Sequence, residues 1–243
     1  MMIRLSKLYK IKNFIGNTNK DLPPLFINSL PKSGTNLIEE CFIKGGYKRS
    51  WARCWNEKNI NKRNMIFKQG QMHIAHLAQD KPVDFSIVNS VFFYRPLWDC
   101  LKSYVNYMYI HKNHIASNFI RDAVRRDDAS NAVKALFFSE ANPLGRSLVS
   151  EYERFYELDL TQYSAVLHYD DFINAGDNSK EALSLLLKVS LAQSEILIKA
   201  ALNANTSTKN VGLHNIFSSI DIETQNEFMS KIIKKDLLTK SAN

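Results

Sequence analysis

Cysteine is scarce in this chain, and long apolar runs are missing. Only three of its 243 residues are cysteines, Cys41, Cys54 and Cys100. Three cysteines cannot all pair, and their spacing does not match a metal-ligand pattern, so we expect packed free thiols, no metal and a reducing compartment. No stretch reaches the roughly 18 apolar residues that a membrane span needs, and the start of the chain lacks the apolar run of a secretory signal. We therefore expect a cytoplasmic protein.

Interdomain linkers are also missing, because no Pro-, Gly- or Ser-rich stretch, low-complexity run or internal repeat divides the sequence. A chain of 243 residues can bury a large core, and we expect one domain over residues 1–243. The formal net charge of +8 suits nucleic acid, anionic lipid, acidic glycan or a highly charged cofactor. The basic residues are dispersed, which argues against nucleic acid. No feature indicates an oligomeric state.

The N-terminal segment, residues 1–20, mixes basic and apolar side chains at near-helical spacing. Its first turns carry four basic residues, Arg4, Lys7, Lys10 and Lys12. Such a segment suits peripheral contact with an anionic membrane. The alternative is a packed terminal helix whose basic face is solvated.

The most informative segment is an apolar strand, predicted at Leu25–Ser29, that leads through Pro31 and Lys32 into a helix predicted at Thr35–Lys44. The N–H groups at the start of a helix lack intrahelical partners, and the helix dipole makes that end positive. Lys32 adds a full charge, and Ser33 and Thr35 add hydroxyl donors. The pattern predicts a phosphate or sulfate site, although Pro, Ser and Gly also form ordinary turns. It differs from the nucleoside triphosphate loop, in which a Gly directly precedes the Lys.

A second apolar strand, predicted over residues 85–94, ends at Arg95 and is followed by a helix predicted at Leu97–Ile110. Asp99 and Ser103 follow Arg95 at intervals of four residues and so lie toward one face of the helix. Ser103 is therefore placed to serve as a ligand donor. The alternative is a helix-capping Arg with an incidental Ser.

Together the two segments resemble the cofactor motifs of sulfotransferases, which take a sulfuryl group from 3'-phosphoadenosine 5'-phosphosulfate (PAPS) and release adenosine 3',5'-bisphosphate. The first resembles the family's 5'-phosphosulfate loop. The second resembles its 3'-phosphate motif, with Pro96 and Leu97 as departures. The resemblance implies that Arg95 and Ser103 bind the 3'-phosphate. It implies that the 5'-phosphosulfate is bound by the loop residues Lys32, Ser33, Gly34, Thr35 and Asn36.

Two later segments extend the resemblance. A strand predicted at Ala165–His168 leads to Tyr169, which matches a tyrosine that contacts the adenine region in the family, with Asp170 and Phe172 as departures. The family's last cofactor loop contains Arg-Lys-Gly and is poorly represented here. Lys209 is its candidate replacement, and a solvated lysine beside a turn is the alternative.

The resemblance also implies catalytic roles. Lys32 would neutralise the leaving phosphate oxygen, and a histidine between the two motifs would take the proton of a hydroxyl acceptor. His73 is the first candidate for this base and His76 the second. The acceptor is not encoded in any motif, and a glycan or lipid hydroxyl is our working hypothesis. An ATP-dependent small-molecule kinase and a non-catalytic polyanion-binding module remain as alternatives.

Alternation of strands and helices predicts an α/β fold. We expect the three-layer, P-loop-like form, a central parallel sheet with helices on both faces and ligands at the carboxyl ends of its strands. Further predicted elements are a short strand near Ile66 and helices over residues 143–158 and 221–238. Capping boxes are predicted to open helices at Asn178 and Ser190.

Overall fold

The structure is a computed structural model that describes residues 21–50, 55–56, 66–78, 83–204 and 215–233. The chain divides into two compact units. The sheet unit comprises the described residues within Met1–Ser29, Gly34–Tyr94 and Asp159–Ala204. The helical unit comprises those within Leu30–Ser33, Arg95–Leu158 and Asn205–Asn243. The single domain expected over residues 1–243 stays a prediction, and the N-terminal segment lies outside the described residues.

Parallel strands form the centre of the sheet unit. In the described residues they are β1 (Leu25–Ser29), β2 (Lys48–Arg49), β3 (Trp55–Asn56), β4 (Gln71–His76), β5 (Asn89–Tyr94) and β6 (Ala165–His168). Their order is β2-β4-β1-β5-β6, and β3 also pairs with β4. Strand β1 thus lies between β4 and β5, parallel to both, at the point where the strand order reverses. Ligands of open α/β sheets bind at the carboxyl ends of the strands at such a point.

Among the described elements, helices follow β1, β5 and β6. In chain order they are α1 (Thr35–Lys44), α2 (Leu97–Ile110), α3 (Ser117–Arg125), α4 (Ala129–Phe138), α5 (Leu148–Glu153), α6 (Tyr169–Ile173), α7 (Asp177–Leu187), α8 (Leu191–Leu202) and α9 (Ile222–Ile233). Helices α1, α6, α7 and α8 belong to the sheet unit, and the others belong to the helical unit. No described helix has both the length and the apolar character that crossing a membrane requires.

Strand β1 packs on both of its sides, as the two-residue period of a strand requires. Leu25 and Ile27 join a buried apolar cluster with residues of α1, α7 and α8. Phe26 points the other way, and its ring meets Phe67 and Phe85 edge-on, with centroids 6.4 and 6.2 Å apart. The α/β fold class, a parallel sheet flanked by helices, is confirmed.

Several predicted elements have the bounds that the sequence indicated. These are the strands Leu25–Ser29 and Ala165–His168 and the helices Thr35–Lys44 and Leu97–Ile110. Cys41 and Cys100 are buried free thiols, as expected, whereas Cys54 lies outside the described residues. The capping box at Ser190 is confirmed, with its hydroxyl accepting from the N–H of Gln193. The helix predicted over 221–238 is described at Ile222–Ile233.

Two strand predictions are wrong in place or length. The strand predicted over residues 85–94 begins only at Asn89, because the Asp84 carboxylate accepts from the N–H and hydroxyl of Ser86 and closes a turn there. No strand lies at Ile66, which is 65% exposed. The strand β4 starts five residues later, after Gly70, which has a φ of 68°.

Two helix starts also differ from expectation. The helix predicted over 143–158 begins at Leu148, because the Asn142 amide donates to the carbonyls of Ser139 and Arg146 and folds the preceding residues into a turn. The capping box predicted at Asn178 is absent from the described helix α7, where Gly176 is the N-cap. The Asp171 carboxylate accepts from the N–H and hydroxyl of Ser179 instead.

Asn28 should contribute strongly to stability. Asn28 is only 1% exposed. Its side-chain NH₂ group donates to the Leu77 carbonyl and to the Tyr163 hydroxyl, both at 2.9 Å, and its side-chain oxygen accepts from the Leu77 N–H. Asn28→Ala leaves these groups buried without their partners and should lower the free energy of unfolding by roughly 2–4 kcal/mol. Urea denaturation measures this change.

The matched control is Asn178→Ala, because the exposed Asn178 amide makes only a long bond of 3.4 Å to the Val166 carbonyl. This exposed substitution should change stability by about 0.5 kcal/mol or less. Equal losses in the two variants would contradict the importance of the Asn28 network.

Candidate functional site

A tight turn connects β1 to α1. Lys32 and Gly34 both have left-handed backbone conformations, with φ of 65° and 102°. Ser33 is buried, and its N–H and hydroxyl donate to the Leu30 carbonyl at 3.2 and 2.8 Å. The Gly34 carbonyl accepts from the Leu37 N–H at 2.8 Å, which starts the helix directly after the turn. The strand end therefore leads into a helix N-terminus, where backbone N–H groups and the helix dipole favour an anion.

Gly34 is required by space as well as by backbone conformation. A Cβ atom there would lie 2.8 Å from Cε2 of Tyr169 and 3.3 Å from Cε1 of Phe93. Tyr169 is the first residue of α6 and directly follows β6. The sheet unit thus brings together Gly34 and Tyr169, two of the residues that the sequence resemblance assigned to one cofactor.

Thr35 is linked to a histidine within the sheet unit. Its hydroxyl lies 2.9 Å from the Ser29 hydroxyl, which in turn lies 3.2 Å from Nδ1 of His76. The same Nδ1 lies 2.7 Å from the Ser29 carbonyl. A carbonyl only accepts, so the neutral ring donates from Nδ1 and carries its lone pair on Nε2. His76 ends β4, next to the end of β1, so this imidazole lies at the same sheet edge as the turn.

His73 has a different environment, although it lies on the same strand. It is 3% exposed, its Nε2 lies 3.1 Å from the Ile66 carbonyl, and its ring packs on Phe67 with centroids 4.9 Å apart. Burial lowers the pKa of His73, partly offset by the bond to Ile66. The structure therefore places His73 inside the sheet unit and His76 at its carboxyl edge.

Lys32 lies among aromatic rings of the helical unit. Its ammonium is 3.2 Å from the ring centroid of Tyr107 and 5.7 Å from that of Tyr104, both on α2. The Tyr152 hydroxyl donates to the Pro31 carbonyl at 2.6 Å and so fixes the start of the turn. Burial lowers the pKa of Lys32 to about 8. A partly desolvated ammonium of this kind interacts strongly with an anion.

Further polar groups surround these rings in the helical unit. The His114 ring lies 6.2 Å from Tyr104 and 6.1 Å from Tyr107, centroid to centroid. Arg146 bonds to Tyr104 and pairs with Glu151, whose carboxylate oxygen lies 2.8 Å from its Nε. Sequence analysis missed this cluster. The helical spacing of the two tyrosines was visible, but His114 and Arg146 come from separate later segments.

The second motif occupies the start of α2 in the helical unit. Arg95 precedes the helix, and its Nε lies 3.8 Å from the Asp99 carboxylate one turn later. Ser103 lies one further turn along, and both Arg95 and Ser103 are partly exposed. Residues four apart share a helix face, so Arg95 and Ser103 lie along one side of α2. Lys209 lies outside the described residues.

Comparison with known proteins gives matches among solved structures only. No family model matches the chain, and no curated protein matches it. Among solved structures, it is similar to mouse sulfotransferase SULT7A1 complexed with PAP, at 12% sequence identity and a TM-score of 0.47. The match covers 93% of this chain and 88% of that one.

Gly34→Ala should destabilise the protein more than Gly145→Ala. Both glycines have positive φ, 102° and 65°, but a Cβ at Gly145 would meet nothing within 4 Å. The control therefore reports the backbone strain alone, roughly 1–2 kcal/mol. Contact with Tyr169 should add roughly 1–3 kcal/mol for Gly34→Ala. Urea denaturation of both variants measures the difference. Equal losses in the free energy of unfolding would mean that the Tyr169 side chain moves aside for the added Cβ without destabilising the protein.

Lys32 should titrate well below an ordinary lysine. Because burial disfavours its charged form, an NMR titration of the lysine side chains should show one with a pKa of about 8. This signal should vanish in Lys32→Arg and persist in Lys199→Arg, a substitution at an exposed lysine paired with Glu195. A spectrum without such a lysine would show that Lys32 is fully hydrated.

Proposed function

We propose that the protein is a sulfotransferase that moves the sulfuryl group of PAPS to a hydroxyl acceptor. The observation that carries the proposal is the turn after β1, in which Lys32 and Gly34 adopt left-handed conformations at the reversal of strand order. This turn carries the sequence that resembles a 5'-phosphosulfate loop. The neighbouring strand β5 leads directly to Arg95 and the second motif.

The residues of the turn would hold the phosphosulfate. Backbone N–H groups of Gly34, Thr35 and Asn36 lie at the N-terminus of α1, where an anion is favoured. The N–H and the hydroxyl of Ser33 both donate to the Leu30 carbonyl, so we propose that Ser33 stabilises the turn that positions the other donors.

Transfer is proposed as an in-line displacement. The acceptor oxygen forms a bond to sulfur while the bond between sulfur and the 5'-phosphate oxygen breaks, and the electron pair of that bond stays on the phosphate. Lys32 would neutralise the charge that develops on the leaving oxygen. The protein contributes mainly position and charge stabilisation, and it releases adenosine 3',5'-bisphosphate.

A histidine would take the proton from the acceptor hydroxyl, and we assign this role to His76. Its Nδ1 bond to the Ser29 carbonyl keeps the lone pair on Nε2, and Ser29 links the ring to Thr35. Sequence analysis favoured His73, but the burial of that ring and its bond to Ile66 support His76 instead.

The remaining cofactor contacts are assigned from the sequence motifs. Arg95 and Ser103 would bind the 3'-phosphate by charge-assisted hydrogen bonds. Tyr169 would contact the adenine region, which its position against Gly34 supports. Lys209 stays a sequence prediction. We retain as proposals a glycan or lipid acceptor, a cytoplasmic location and membrane contact by residues 1–20.

Arg95→Ala should weaken binding of adenosine 3',5'-bisphosphate far more than binding of adenosine 5'-phosphate. Only the bisphosphate carries the group that Arg95 is proposed to bind. A charge-assisted bond contributes roughly 1.5–3 kcal/mol, so the bisphosphate should lose about tenfold or more in affinity. Calorimetric titration of both nucleotides measures the two losses.

Arg125→Ala is the matched control, since Arg125 forms a similar Arg–Asp pair with Asp122 at 3.0 Å on an exposed helix surface. Its two nucleotide affinities should match those of the wild type. If Arg95→Ala weakens both nucleotides equally, Arg95 does not recognise the 3'-phosphate.

His76→Ala should lower turnover by about 10² to 10⁴ fold, because the acceptor proton loses its base. Affinity for adenosine 3',5'-bisphosphate should stay nearly unchanged. The His73→Ala protein that remains folded should retain most of the wild-type turnover. Transfer from labelled PAPS to a panel of glycan and lipid hydroxyls provides the assay. If His73→Ala is inactive and His76→Ala is active, His73 rather than His76 is the base.

A further inference from the structure

We propose that His114 donates a hydrogen bond from Nε2 to the sulfuryl group that is transferred, and acts there beside Lys32. This inference rests on the proposed sulfotransferase function and adds a residue that neither motif contains. His114 lies in the segment between α2 and α3, outside every match to the family.

The position of the His114 ring supports the proposal. The ring packs near Tyr104 and Tyr107, the same two rings that lie under the Lys32 ammonium. An imidazole and an ammonium are therefore held against one aromatic surface within the helical unit. Two donors of this kind suit an anion with several oxygens, as a sulfuryl group has.

The hydrogen bond at Nδ1 determines which nitrogen of His114 can donate. The Ala116 N–H donates to Nδ1 at 3.2 Å, so Nδ1 is an acceptor. The proton of the neutral ring is then on Nε2. This tautomer is opposite to that of His76, so the two rings suit opposite tasks. His76 can accept a proton, and His114 can donate a hydrogen bond.

Electrostatics also favours an anion at this place. Burial lowers the pKa of His114, and the nearby charges of Lys32, His111 and Arg146 lower it further. The Tyr104 and Tyr107 rings also face His114, and burial raises the pKa of Tyr104. The Arg146 charge is partly balanced by Glu151. An anion bound here would be attracted by the charges of Lys32 and Arg146.

A calorimetric comparison of PAPS with adenosine 3',5'-bisphosphate tests the proposal, since the two differ only by the sulfuryl group. The full chain is titrated without acceptor. In His114→Asn the amide oxygen replaces Nδ1 as the acceptor for Ala116, and no donor replaces Nε2. This variant should lose about fivefold to tenfold in PAPS affinity and less than about twofold in bisphosphate affinity.

His114→Gln is the rescue variant, because its amide N–H can take the place of Nε2–H. It should keep most of the PAPS affinity.

Equal losses for both ligands in His114→Asn, or no loss for either, would overturn the role of His114 and leave the sulfotransferase proposal standing. Binding of neither ligand to the wild-type protein would overturn both.

Discussion

Parallel pairing of β1 with both β4 and β5 is the constraint on which the site in the sheet unit depends. It places Ser29, His76 and Tyr94 at neighbouring strand ends, although 65 residues of sequence separate the first from the last. The turn after Ser29 then starts α1 at the same edge. Tyr169 fills the space beside Gly34, so only a glycine fits the N-cap of this helix. Strand order thus brings the turn before α1 and the His76 ring to one edge of the sheet, where we propose the anion site and the base.

The surroundings of Lys32 fit the role that we propose for it, which is to bind an anion and to neutralise a developing charge. Aromatic rings hold its ammonium on one side and exclude water, which lowers its pKa to about 8. A bound anion would therefore stabilise the charged form of Lys32 strongly, because the anion replaces the hydration that burial removed. This gain grows as charge develops on a leaving oxygen, and interactions that strengthen in the transition state accelerate the reaction.

The sequence predicted those parts of the structure that local patterns determine. Apolar runs and the Pro-Lys-Ser-Gly-Thr sequence were enough to predict the bounds of β1 and α1 and to place Lys32 and Gly34 in the turn between them. Side chains that fold back on the chain were not predictable from such runs, and Asp84 and Asn142 shortened the strand and helix that follow them. The choice between His73 and His76 depends on strand faces and on the bonds to Ile66 and Ser29, which are tertiary. In the ring cluster around Lys32, only the helical spacing of Tyr104 and Tyr107 was visible in the sequence, because His114 and Arg146 come from separate segments.

The central claim is that the protein recognises a nucleotide with a phosphate on the 3' oxygen rather than a triphosphate on the 5' oxygen. Calorimetric affinities of the wild-type chain for adenosine 3',5'-bisphosphate and for ATP, measured in the same buffer, test it most directly. The account predicts that the bisphosphate binds at least about tenfold more tightly, because only it offers a 3'-phosphate to Arg95 and Ser103. Equal affinity, or tighter binding of ATP, would contradict it.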